Sequence, residues 1–132
     1  GPAALPSWRG DGGAVAEILA NLLENAFRYS APESPVGLHC APTAAGLQLT
    51  VWDGGGPIVA EERERIFQRG ERGQQSEGKA GTGLGLALAR DLAGHLGGDL
   101  ELLSPPSMVD PSLPERGNAF RLTVPASAEP PR

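Results

Sequence analysis

Between residues 14 and 29 the segment "AVAEILANLLENAFRY" repeats apolar side chains at Val15, Ile18, Leu19, Leu22, Leu23 and Ala26. At about 100° per residue these positions fill one arc, which predicts an amphipathic helix. Asp11, ahead of Gly12 and Gly13, predicts its start, because a carboxylate there accepts from the free N–H groups of a first turn. The stretch from Ser30 to Pro35 breaks the pattern. Asn21, Asn25 and Arg28 form a neighbouring stripe, beside the buried arc rather than opposite it.

The period then falls to two. Val36, Leu38 and Cys40 alternate with Gly37 and His39, "PTAAG" turns, and Leu47, Leu49 and Val51 alternate with Gln48, Thr50 and Trp52, predicting a pair of strands. Asp53 shares the parity of the apolar set and so sits where the strand's buried side emerges, an odd position for a carboxylate without a partner. "DGGGPIV" reads as a loop and "AEERERIF" as a short charged helix closed by Ile66 and Phe67. Residues 68–82 are polar, glycine-rich and aperiodic, which predicts a loop. Helical spacing returns in "GLGLALARDLAGHL" through Leu84, Leu88, Leu92 and Leu96, ended by Gly97 and Gly98. "DLELLS" and "NAFRLTV" read as strands around a proline-rich connector, and residues 126–132 have nothing to bury and are expected to be disordered. Adjacent strands joined by turns favour an α+β fold: a two-layer sandwich with a mixed, mostly antiparallel sheet of about five strands and about three helices on one face.

Composition adds limits. A chain of 132 residues with 39% hydrophobic content suits one soluble domain. The 19 glycines and 13 prolines make nearly a quarter of it, an excess expected to fall in loops. A net charge of −5 disfavours nucleic acid as a partner. Cys40 is the one cysteine, so no internal disulfide can form and a reducing compartment is expected. No apolar run approaches the roughly 18 residues needed to span a bilayer. The opening Gly1-Pro2 looks like a remnant of tag cleavage, which predicts a piece excised from a longer parent.

Residues 73–90, "GQQSEGKAGTGLGLALAR", carry two phosphate-binding signals. The first, Gly73 to Gly78-Lys79, resembles a P-loop but is followed by Ala80 rather than Ser or Thr and has no strand before it. A dinucleotide fingerprint fails on spacing. In the second, Gly81, Gly83 and Gly85 lead straight into a helix, so bare N–H groups and a helix N-terminus are available to a phosphate without any lysine.

"NLLENAFRYS", "DGGGPI", "RIFQRGERG" and "GTGLGLALAR" occur in the order and at spacings that resemble the N, G1, F and G2 boxes of the ATP-binding domain of sensor histidine kinases, within the gyrase, Hsp90, histidine kinase and MutL superfamily. "GHLGGDLELLS" and "GNAFRLTVP" resemble that family's closing hairpin. The resemblance implies the Bergerat ATP-binding fold over residues 9–125, with an ATP lid at about 68–82 and a leader at 1–8 that has room for a short strand.

It also implies roles. Asn25 matches the family's Mg2+ ligand, and Asn21, one turn earlier, can reach the same metal or phosphate region. An amide at Asn21, where the water-using ATPases carry a glutamate base, fits transfer to an imidazole rather than to water. Arg28 matches a phosphate-contacting base and Tyr29 a ring lying against adenine. Asp53 matches the adenine reader, Gly55 lets the base approach the backbone, and Ile58 lines the same pocket. Gly81, Thr82, Gly83, Leu84 and Gly85 match the phosphate loop, with Leu84, Leu86 and Leu88 docking the helix behind it, and Arg72 matches an arginine that reaches the terminal phosphate. Pro57 stands where the family usually has a second glycine, and Gly70 where a second phenylalanine is common, which leaves Phe67 as the loop's single aromatic anchor.

The implied function is the catalytic half of a two-component sensor kinase. It would bind ATP and Mg2+ and transfer the γ-phosphoryl group to a histidine on a separate dimerisation domain, with a response regulator downstream. His39, on a strand, and His95, at a helix end, do not match a phosphoacceptor. The expected state is a cytoplasmic monomer without membrane contact, whose parent can still be membrane-anchored. A nucleotide-binding regulatory module without phosphotransfer, and a related anti-sigma-type serine kinase, are the alternatives.

Overall fold

The structure, a computed structural model, describes residues 11–30, 32–44, 46–68 and 85–125. Helix α1 (Gly12–Tyr29) starts where expected: the Asp11 carboxylate accepts from the Ala14 N–H at 3.0 Å. Removing that cap by Asp11→Ala should cost about 1 kcal/mol of stability, read as a lowered thermal midpoint. At the far end the Ser30 N–H returns to the Ala26 carbonyl at 3.0 Å.

Strands β1 (Val36–Thr43) and β2 (Gly46–Asp53) form an antiparallel hairpin whose turn is closed by Thr43, its hydroxyl bonding both the carbonyl and the N–H of Gly46. Between β2 and helix α2 (Gly85–His95) the described residues form two short 3-10 turns, Ala60–Glu62 and Arg65–Phe67. These stand in place of the charged helix expected over residues 60–67. Only Ile66 and Phe67 are buried there, so no apolar stripe rewards propagation of a full helix. Strands β3 (Asp99–Leu103) and β4 (Asn118–Pro125) complete a sheet of order β1-β2-β4-β3. Every pairing among the described residues is antiparallel, and four strands are described where about five were expected. The leader at 1–8, the lid expected at about 68–82 apart from Gln68, and the tail at 126–132 lie outside the described residues.

The core lies between the sheet and the two helices. Ile18, Leu22 and Ala26 of α1 meet Leu47, Leu49 and Val51 of β2 and Phe120, Leu122 and Val124 of β4. The face of α2 keeps part of the one its leucine spacing predicted: Leu92 and Leu96 pack against the core. Leu86, Ala89 and Ala93 are buried while Leu88 is 39% exposed, so Leu86 docks this helix and Leu88 does not. Alanines at the seam let α2 lie close to α1, a contact that a stripe of leucines would hold apart.

α2 ends in a Schellman motif: the Gly98 N–H bonds the Ala93 carbonyl, the Gly97 N–H bonds the Gly94 carbonyl, and Gly97 has φ of 77°. On the sheet's other face Arg121 and Glu101 pair across β4 and β3 through a fork of two bonds, at 2.5 and 3.0 Å. Farther along that row His39 of β1 lies 3.9 Å from Asp110 of the β3–β4 connector.

Candidate functional site

Two groups of predicted residues lie along the C-terminal half of α1. In the middle of α1, Asn21 lies against the first residue of α2: a Cβ added at Gly85 would stand 3.7 Å from the Asn21 Oδ1. The Asn21 Nδ2 is buried without a hydrogen-bond partner. A buried amide left unpaired costs about 1–3 kcal/mol, so this atom favours any ligand that brings an acceptor to the seam between α1 and α2. Asn25 follows one turn later, half-buried on the same stripe. Arg28, a further turn along, bonds Glu24 at 2.7 Å, so a phosphate would compete with that carboxylate for the guanidinium. Tyr29 closes the helix, and its side chain lies outside the described residues. The Gly81, Thr82, Gly83, Leu84 and Arg72 positions lie outside them too.

Past the C-terminal end of α1, Asp53 terminates β2 and is 8% exposed. Its Oδ1 accepts from the Gly55 N–H at 2.9 Å, an Asx-type bond that bends the chain out of the strand. Burial pushes the carboxyl above the ordinary aspartate value. The Gly55 N–H, then the Ser30 and Asn118 side chains, offset only part of that. The Ser30 hydroxyl is buried and makes no complete hydrogen bond, so its help is weak. Ser30 directly follows α1, which places the acid near the end of the helix that carries the two asparagines.

The loop after Asp53 is held from inside. The Ile58 N–H donates to the Asn118 Oδ1 at 2.8 Å, and the Asn118 Nδ2 donates to the Gly56 carbonyl at 2.9 Å. Pro57, between these contacts, has no N–H to offer, and none is needed there. Asn118 was not singled out in the sequence, where it reads as one polar residue ahead of an alternating strand. The available signal was its register: it lies directly opposite Asp53 across β2 and β4. Gly117 was also passed over. Its φ is 124°, and an added Cβ would lie 1.8 Å from the Asp53 carbonyl oxygen.

Phe67 is not a solitary anchor. Its ring meets Phe120 edge-on at 6.0 Å, and the Arg90 guanidinium lies 4.4 Å from its centroid. Arg90 also forks onto Glu64, at 2.8 and 3.3 Å, and holds that carboxyl below its usual value. The residues on either side of segment 69–84 are thus joined through one helix, α2.

The profile described as "Histidine kinase-, DNA gyrase B-, and HSP90-like ATPase" matches residues 10–128. Sensor histidine kinase Hik2 of Thermosynechococcus vestitus is 42% identical over 110 residues, which is 83% of this chain and 27% of that protein. Among solved structures, a mycobacterial sensor histidine kinase, MprB, superposes with a TM-score of 0.74 at 28% identity, covering 89% of this chain and 76% of that one. Full-length ShkA in complex with AMPPNP superposes with a TM-score of 0.72 at 25% identity, covering 95% of this chain and 25% of that one. The chain therefore spans only a fraction of the length of the full-length relatives it matches.

Proposed function

The chain belongs to the histidine kinase-, DNA gyrase B- and HSP90-like ATPase family, and from that premise we propose that it is the ATP-binding catalytic domain of a sensor histidine kinase. The observation that carries this reading is the arrangement along α1. An unpaired buried amide faces the start of α2 at mid-helix, and a buried acid lies past the helix's C-terminal end. From Asn21 to Ser30 the helix rises roughly 13 Å, the scale of an extended nucleoside triphosphate. AMPPNP bound to ShkA supports a triphosphate rather than a smaller ligand.

In this reading Asp53 accepts from the exocyclic amine of adenine, a donor that guanine lacks at that position, and Gly55 and Ile58 border the base. Asn21 and the helix start at Gly85 face the phosphates, joined by the Gly81, Thr82, Gly83 and Leu84 backbone. Among the described residues no three His, Cys, Asp or Glu side chains form a metal-sized group, and the neutral Asn25 oxygen suits a hard cation that draws its other ligands from phosphate and water. Mg2+, when bound, supplies charge neutralisation along the phosphates. Arg28 and Arg72 stabilise charge on the transferring group, and neither asparagine can take a proton from water, which directs transfer toward an already nucleophilic imidazole. The acceptor histidine would lie on a dimerisation domain, with a response regulator as the next partner and a cytoplasmic setting for both. Among the described residues no helix is long and apolar enough to cross a membrane.

The test is transfer itself. The chain, Mg2+ and γ-labelled ATP are mixed with the separately produced dimerisation domain of the parent. Acid-labile, alkali-stable label on that domain is expected. Nucleotide binding with no transfer would favour the regulatory module, and acid-stable label on serine the anti-sigma-type kinase. Asn25→Ala should lower Mg2+-dependent binding of a fluorescent ATP analogue at least about tenfold, while binding without the metal changes little.

A further inference from the structure

We propose that Asn118 is a positioning residue for the nucleotide base, which sets the Asp53 carboxylate and the 55–58 loop in the geometry that reads adenine. The inference rests on the nucleotide reading above and adds to it a residue outside the four sequence boxes.

Asn118 is 4% exposed, one of three buried polar or charged side chains among the described residues. Its carboxamide acts in both directions, accepting from the Ile58 N–H and donating to the Gly56 carbonyl. Nδ2 carries two hydrogens. One is directed to Gly56, and Asn118 is the smallest of the three influences that oppose the effect of burial on the Asp53 carboxyl. Direct opposition across the β2–β4 ladder places the two side chains on one face, with Cβ atoms about 5 Å apart.

The chemistry explains the residue type. Bridging a carbonyl and an N–H on either side of a proline needs a donor and an acceptor on one short, planar group. Aspartate at 118 would accept from Ile58 but could not donate to Gly56 unless protonated, and it would set a second negative charge opposite Asp53. A hydroxyl is too small to span both contacts. Alanine would leave the Ile58 N–H and the Gly56 carbonyl without their partners and free the loop to move away from the base. Pro57, which on sequence grounds put this loop in question, is thus accommodated by a clamp that uses only its neighbours.

A pH-resolved titration tests the assignment, because a purely structural asparagine would not give its aspartate variant a pH-dependent affinity. A fluorescent ATP analogue is titrated into wild type, Asn118→Ala and Asn118→Asp between pH 5 and 8, with circular dichroism on each protein. Asn118→Ala should bind about tenfold more weakly at every pH and lose part of its preference for adenine over guanine analogues. Asn118→Asp should be weakest at pH 8 and recover toward pH 5, where a shared proton restores the donor to Gly56 and relieves repulsion with Asp53. If Asn118→Ala fails to fold, the pH profile of Asn118→Asp decides alone. Wild-type binding matched by folded Asn118→Ala, or a flat profile for Asn118→Asp, would overturn the proposal and leave the nucleotide site standing. Wild type that takes up no analogue would overturn both.

Discussion

Asp53→Asn should weaken ATP binding about a hundredfold and, as pH rises, improve the stability of the empty protein relative to wild type. The first effect follows from direction. One oxygen of Asp53 already accepts from Gly55, so the other is left for the base. Asparagine has one acceptor for these two tasks. If its oxygen stays on Gly55, an NH2 group meets the Asn118 amide and the adenine amine, donor against donor. If it flips, the clash moves to Gly55. The second effect follows from the raised carboxyl pKa. A group whose folded value lies above its unfolded one contributes stability that is complete below the unfolded pKa and is lost as pH rises through the folded one. Asp53 therefore works against the empty fold at neutral pH, and the uncharged variant lacks that loss. Denaturant unfolding of both proteins between about pH 4 and pH 7 should show the difference moving in the variant's favour as pH rises. Movement the other way would mean that the pocket stabilises the carboxylate, and the acid would then be a structural ion rather than one held in readiness.

Gly117→Ala is expected to cost at least about 3 kcal/mol, from positive φ and overpacking together. Out of a typical 5–15 kcal/mol that is a severe loss. The added methyl has nowhere to go, because the obstacle is the Asp53 main chain itself. Relief requires β2 and β4 to part at the Asp53–Asn118 pair, so surviving native protein should also bind nucleotide poorly. Gly56→Ala is the control. It sits in the loop after β2 with open space around it and should melt close to wild type. Equal melting of the two variants would contradict the close approach.

Much of this was legible beforehand, for identifiable reasons. α1 announced itself through a complete apolar arc and an acidic cap, and the β1–β2 hairpin through strict alternation. Asp53 stood out as the one charge on the buried parity. What escaped lacked a local signal. Residues 60–67 have helical composition but no buried stripe, and local preference does not decide between a helix and two 3-10 turns there. In α2, leucine spacing pointed to Leu88, whereas the seam with α1 selects small residues at Ala89 and Ala93, a choice made by the partner helix. Asn118, Gly117 and Arg90 act across 60, 64 and 26 positions of sequence, onto Ile58, Asp53 and Glu64 respectively, and their roles exist only once the strands and helices are paired.

The seating of α1 carries a consequence for how tolerance to substitution is distributed. Asn21, Asn25, Arg28 and the Ser30 junction ride on a single rod of 18 residues, so in the proposed reading base and phosphate contacts cannot be adjusted separately. A slight roll of that rod would misalign both halves of the cleft in concert. Ile18, Leu22 and Ala26, buried in the core, fix its angle on the sheet. Conservative exchanges at these three should blunt nucleotide affinity well before they unfold the domain, which makes the underside of the helix as exacting as the side that meets the ligand.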